Sequence, residues 1–145
     1  MLKLACQGQA WHGPSLLQNL DGVTAAMAAQ HPIADSHSIF ELVRHVSTWI
    51  DKVARVSSGE QYVSMEGDDD WPPVTDTSDA AWQSALAELQ AARELLRHAM
   101  RKFPEDDLEK IVPGKEFSYY VMLHGTVHHI LYHAGQIGLL RKAIP

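Results

Sequence analysis

Cysteine is nearly missing: Cys6 is the only one in 145 residues, so no internal disulfide can form and nothing asks for an oxidising compartment. Apolar runs never approach the roughly 20 residues of a membrane span. The N-terminal stretch MLKLACQGQAWHGP holds only a few apolar residues together, short of a secretory signal core. A cytoplasmic protein with no membrane partner is expected. Basic residues number 12 against 18 acidic ones, for a formal charge of −6. No Lys or Arg cluster is dense enough to follow a phosphate backbone, so no nucleic-acid partner is expected. Gly-rich phosphate loops and a G-x-S-x-G elbow are absent. The acidic group Glu66, Asp68, Asp69 and Asp70 lacks EF-hand spacing and reads as a solvated loop. Cys6 has no basic neighbour beyond Lys3 to make it a nucleophile.

What remains is an ordinary globular composition, 46% hydrophobic and 21% charged, of a length for one domain over residues 1–145. Pro14 suits the first turn of a short helix over Ser15 to Leu20, ended by Asp21-Gly22. Thr24 caps a second short run from Ala25 to Gln30, stopped by His31-Pro32. Ser38 with Glu41 three residues on forms a capping box for a helix reaching about Val56. Gly59 to Thr77 reads as a long irregular connection. Apolar positions from Trp82 to Phe103 recur at helical spacing until Pro104, and Ser118 caps a last helix ending near Lys142. No persuasive alternating strand is present. The fold class is all-α: a four-helix bundle with short additional N-terminal helices.

Nine histidines are the unusual component. His124 with His128 and His129 with His133 both have the i, i+4 spacing of metal-ligand pairs. On a helical wheel with His129 at zero, His133 lies at about 40°, with Leu140 and Met122 at about 20° and Ile130 at about 100°. This pair borders the apolar face. His124 and His128 fall on the opposite, polar side, facing solvent or, with Tyr120, a subunit contact. His45 edges the buried stripe of the helix that starts at Ser38, with Glu41 one turn before it as an outer partner. Imidazoles of facing helices can build a metal site inside a bundle; each can equally be a hydrogen-bonded core histidine. Neither pair is an H-E-x-x-H motif, because Gly125 and Ile130 stand where the glutamate would be. His31, His37 and His98 read as surface or helix-end residues. The four tryptophans, Trp11, Trp49, Trp71 and Trp82, read as core and loop anchors, with Trp71 beside Pro72 also a candidate for the wall of a substrate opening.

The segments Trp11-His12-Gly13-Pro14-Ser15-Leu16, His37-Ser38-Ile39-Phe40-Glu41-Leu42-Val43-Arg44-His45, Asp70-Trp71-Pro72 ahead of Trp82, and His129-Ile130-Leu131-Tyr132-His133-Ala134-Gly135-Gln136-Ile137 together resemble the DinB family. The last segment is the most specific. The resemblance covers nearly the whole chain and implies a bundle binding one divalent metal through His45, His129 and His133. Members with assigned activity are thiol-dependent transferases and isomerases using glutathione, mycothiol or bacillithiol, and the family frequently forms dimers.

Three neutral imidazoles suit zinc, nickel, iron or copper and leave positions open for water or substrate. The expected activity is metal-assisted nucleophilic transfer to a small-molecule substrate, with a low-molecular-weight thiol as the cofactor the resemblance implies, and His12, Glu41, Tyr132 and Gln136 as helpers. Gln136, one turn beyond His133, is placed to bond a ligand's second nitrogen. The alternatives are a metal-dependent hydrolase using bound water and a non-catalytic metal- or ligand-binding stress protein. The resemblance makes a homodimer one candidate assembly, and the sequence leaves the oligomeric state open.

Overall fold

The structure is a computed structural model, and it describes the chain apart from Gly8 and His12, and apart from the side chains of Gln9 and Ala10. Six α-helices are found among the described residues: α1 (Leu2–Cys6), α2 (Leu16–Leu20), α3 (Ala25–Ala28), α4 (Ile39–Ser57), α5 (Asp79–Lys102) and α6 (Tyr119–Ala143). The fold is an all-α bundle. Its three long members are α4, α5 and α6, and the short pair α2 and α3, interrupted at Asp21-Gly22, packs α2 on α6 and α3 on α4 and α5.

The long helices begin where local chemistry dictates. Ser38 accepts from the Glu41 N–H at 3.2 Å while the Glu41 carboxylate accepts from the Ser38 N–H at 2.7 Å, closing the capping box. Ser78 and Ser118 cap α5 and α6 by the same side-chain-to-backbone bond. Each such cap is worth about 1 kcal/mol. From α4, Phe40, Leu42, Val43, Val46 and Ile50 enter the core, meeting Trp82, Leu89 and Leu96 of α5 and Ile130 and Ile137 of α6. Trp82 packs edge-on against Phe40, and its indole N–H donates to the Val23 carbonyl at 3.0 Å, which ties the α2–α3 region to the bundle.

Helix α6 lies close to α2 because Gly138 leaves room. A Cβ there would stand 3.0 Å from the Asn19 side chain, whose amide donates to the Ala134 carbonyl at 3.0 Å. No helix among the described residues is long and apolar enough to cross a membrane.

Several local expectations are corrected. Pro14 does not open α2 but lies in a two-residue strand, β2 (Gly13–Pro14), paired antiparallel with β1 (Gln9–Ala10). Two-residue strands are too short for alternation to reveal them. Trp11, expected as an anchor, is fully exposed in the turn of that hairpin. The first residues form α1, which buries Ala5 and Cys6. Arg93 of α5, itself buried, donates to Gln7 at 2.7 Å and to Gln90 at 2.6 Å, fixing the end of α1. Burial pushes the Cys6 thiol up, with the neighbouring Arg93 opposing the shift.

Candidate metal centre

The histidines of α4 and α6 meet across the bundle. His45 and His133 are buried and His129 is partly so, and one ring nitrogen from each lies within 4.8 Å of the other two. His45 Nε2 is 2.9 Å from His129 Nε2, and His133 Nε2 is 3.0 Å from the same atom.

The other nitrogens explain why Nε2 is the inward atom. His45 Nδ1 lies 2.8 Å from the Asp70 carbonyl oxygen and His133 Nδ1 lies 2.6 Å from Gln136 Oε1. An oxygen that can only accept requires the proton on Nδ1, which leaves the Nε2 lone pairs of both rings directed at His129. His129 cannot satisfy this arrangement by itself. Its Nδ1 is buried without a hydrogen-bond partner. With the proton on Nδ1, a buried donor is orphaned and three lone pairs confront one another; with the proton on Nε2, Nδ1 becomes the orphaned acceptor. A cation held among the three Nε2 atoms removes the lone-pair repulsion, and ligand distances of roughly 2.0–2.1 Å are compatible with this spacing. The donor set therefore fits a divalent ion.

The surroundings favour the neutral, ligating form of each ring. Burial holds His45 and His133 below the usual imidazole range, against opposing hydrogen bonds from Asp70 and Gln136 respectively. Burial, and then the neighbouring His133 and His45, push His129 down to about 4.

The connection between α4 and α5 supplies the outer support of His45. Gly67, at φ +56, starts a single 3-10 turn over Gly67–Asp69, and the Trp71 N–H closes onto the Gly67 carbonyl at 2.8 Å. Three contacts pin this segment to α4: Arg44 donates to the Pro73 carbonyl, His45 to the Asp70 carbonyl, and the Trp49 indole to Asp70 Oδ1 at 2.7 Å. Trp71 lies flat between two imidazoles, with ring centroids 3.8 Å from His45 and 3.6 Å from His37.

Asp70 had read as part of a solvated acidic loop, and its bonds to His45 and Trp49 overturn that. The signal was its place immediately before Trp71-Pro72, and the carboxylate takes part as well, with Oδ1 3.2 Å from His45 Nδ1. His37, expected at the surface, is half exposed but stacked on Trp71.

Of the other expected helpers, Gln136 takes the place expected of it and Glu41 does not. Gln136 is the acceptor for His133 Nδ1. Glu41 does not support His45: its carboxylate serves the α4 cap and faces His37 Nδ1 at 3.6 Å, and Asp70 takes the position by His45. Tyr132 is 65% exposed, with its ring set edge-on to His133. His12 lies outside the described residues. His124 and His128 are exposed on the far side of α6.

A cavity of about 420 Å³ adjoins the triad on the side of His45 and His129. A profile of the DinB superfamily matches residues 10–137, a span that includes all three histidines. The chain belongs to the DinB superfamily. No curated protein and no solved structure matches the chain significantly. Within this DinB protein the matched region ends just past Gln136, so every side chain described around the triad falls inside it.

Proposed function

We propose that this DinB-superfamily protein holds one divalent ion through His45, His129 and His133 and uses it in nucleophilic transfer from a small thiol, or from water, to a small molecule bound in the adjoining cavity. The observation that carries the reading is the convergence of three Nε2 atoms at the edge of a cavity, where fewer than four protein ligands leave coordination positions open. Bound there, zinc, nickel or iron would lower the pKa of a thiol or water toward neutrality.

The protein's own residues do the rest. Asp70 and Gln136 orient His45 and His133 and keep their protons on Nδ1. Trp71, stacked on His45, fixes the plane of that ring. Trp49, Val53 and Met122 give the cavity an apolar wall. Tyr132, edge-on to His133, and His12 are candidate helpers, and Glu41 has a structural part as a helix cap. A cytoplasmic location and a homodimer accompany this reading.

The test uses tag-free protein. Elemental analysis should find about one divalent ion per chain, and glutathione, bacillithiol or mycothiol should be conjugated to 1-chloro-2,4-dinitrobenzene in a chelator-sensitive reaction. In that reaction the sulfur–carbon bond forms, chloride leaves with the electron pair and the thiol proton passes to solvent. Chelator-sensitive ester or amide cleavage without thiol would select water as the nucleophile. Stoichiometric metal with neither reaction would leave a binding protein, and absence of metal would overturn the reading.

A further inference from the structure

The cavity beside the triad is walled by Trp49 and Val53 of α4, Val121 and Met122 of α6, and Tyr62 and Phe117 from the two long connections. Its neutral polar groups are largely spent inside the protein. The Trp49 indole donates to Asp70 Oδ1 and the Thr126 hydroxyl donates to the Met122 carbonyl at 2.8 Å. The connections that roof it are tied together: Tyr62 meets Phe117 edge-on, and Lys115 lies over the Tyr62 ring while its ammonium donates to Ser64. About 420 Å³ of space with such walls is in the range of small-molecule sites, which are mostly apolar with a few polar groups at one end. Here that end is His45, His129 and Asp70.

Gly125 adds an independent observation. It sits in the interior of α6 and lines the cavity, although glycine weakens a helix relative to alanine. Backbone conformation does not require it, since it is not among the residues of positive φ. Packing does not require it either, because a Cβ built there meets no atom within 4 Å. What a side chain at this position would take away is cavity space. Gly135, in the same helix and equally free of neighbours, does not line the cavity and serves as the control.

We infer that the cavity binds the apolar body of the acceptor substrate, an aryl ring or branched alkyl group seated over Gly125 and against Trp49, with its polar end toward His45 and His129. The orientation rests on the metal reading above; the apolar site does not.

The probe is N-phenyl-1-naphthylamine, a dye that fluoresces in apolar surroundings, titrated into wild-type, Gly125→Leu, Gly125→Ala and Gly135→Ala proteins, with metal content and Tm measured on each. Wild type and Gly135→Ala should bind the dye alike, and toluene but not myo-inositol should displace it. Gly125→Leu should bind at least about 10-fold more weakly and Gly125→Ala about 3-fold, with metal content unchanged. Both alanine variants should melt about 2–4 °C higher. Dye that binds wild type and both Gly125 variants equally, or fails to bind wild type, or is displaced equally by toluene and myo-inositol, overturns the inference. Should Gly125→Leu not fold, the Gly125→Ala titration decides. Wild type that binds dye but no metal would overturn the metal reading and the ligand's orientation, leaving the apolar site standing.

Discussion

Helix α6 carries two histidine pairs of identical spacing in opposite surroundings. His124 and His128 lie exposed and edge to face, their centroids 4.4 Å apart, with Tyr120 stacked on His124. His129 and His133 are also edge to face with centroids 4.4 Å apart, but His45 of α4 stands across from them, oriented by Asp70. Among the described residues, His45, His129 and His133 make the one group of three residues placed to hold an ion together. Spacing within a helix supplies two ligands; the third, with its orientation and its burial, comes from tertiary structure.

The most severe way to break this asymmetry is to reduce the inner site to a pair. In His45→Ala, the affinity for zinc should fall by more than about 100-fold, beyond the 10–100-fold typical of losing an outer-shell partner. The double variant His124→Ala/His128→Ala should stay within about twofold of wild type. Zinc competition titrations on tag-free protein measure both, and equal losses would show that the two pairs do not differ as described.

What could be read ahead of the structure follows the same division between local and tertiary information. The start of α4 was legible because Ser38 and Glu41 bond each other, and Pro104 and the Ser118 cap likewise act on their own segments. His45 was legible because α4 has a single strong apolar stripe that a wheel can orient. Helix α6 is harder to orient: Val121, Tyr132 and Leu139 are exposed while Ile130, Ile137 and Leu140 are buried, so apolar residues occur around its circumference. The inner pair was placed by those buried neighbours and by its resemblance to the family ending. Asp70 reads from the sequence as loop because its link to His45 spans 25 positions and pairs a main-chain carbonyl, to which side-chain identity is no guide, with a carboxylate oxygen 3.2 Å from the same ring nitrogen. Helix α1 escaped because its five residues are held by α6 and by Arg93, neither of which a five-residue window contains.

A milder change sharpens the comparison by leaving all three ligands in place. Gln136→Ala removes the acceptor from His133 Nδ1, freeing the ring to rotate and the proton to shift to Nε2. Zinc affinity should fall by roughly 10-fold. Gln136→Glu, whose carboxylate can accept the same hydrogen bond, should recover most of it. A decrease in Gln136→Ala that Gln136→Glu does not restore would mean that Gln136 acts through packing and not through that bond.

The smallest effect concerns the metal-free protein. His129 is held near pH 4 in the fold, against about 6.5 when unfolded, and His45 and His133 are lowered as well. Between those two values the unfolded chain binds protons that the folded one refuses, so stability rises with pH across the window. The contribution of His129 is fully present above about pH 6.5 and is lost as pH falls toward 4. Allowing for its partial access to solvent, His129 should account for about 1–2 kcal/mol, or roughly 2–8 °C in Tm. His129→Gln, similar in size but without a titrating ring, should flatten the melting curve over that interval in the presence of chelator. His124→Gln/His128→Gln should leave the slope in place, because the buried triad that produces it remains intact. A slope that survives His129→Gln would assign the acid sensitivity to groups outside the triad, and the electrostatic contrast between the two faces of α6 would lose its support.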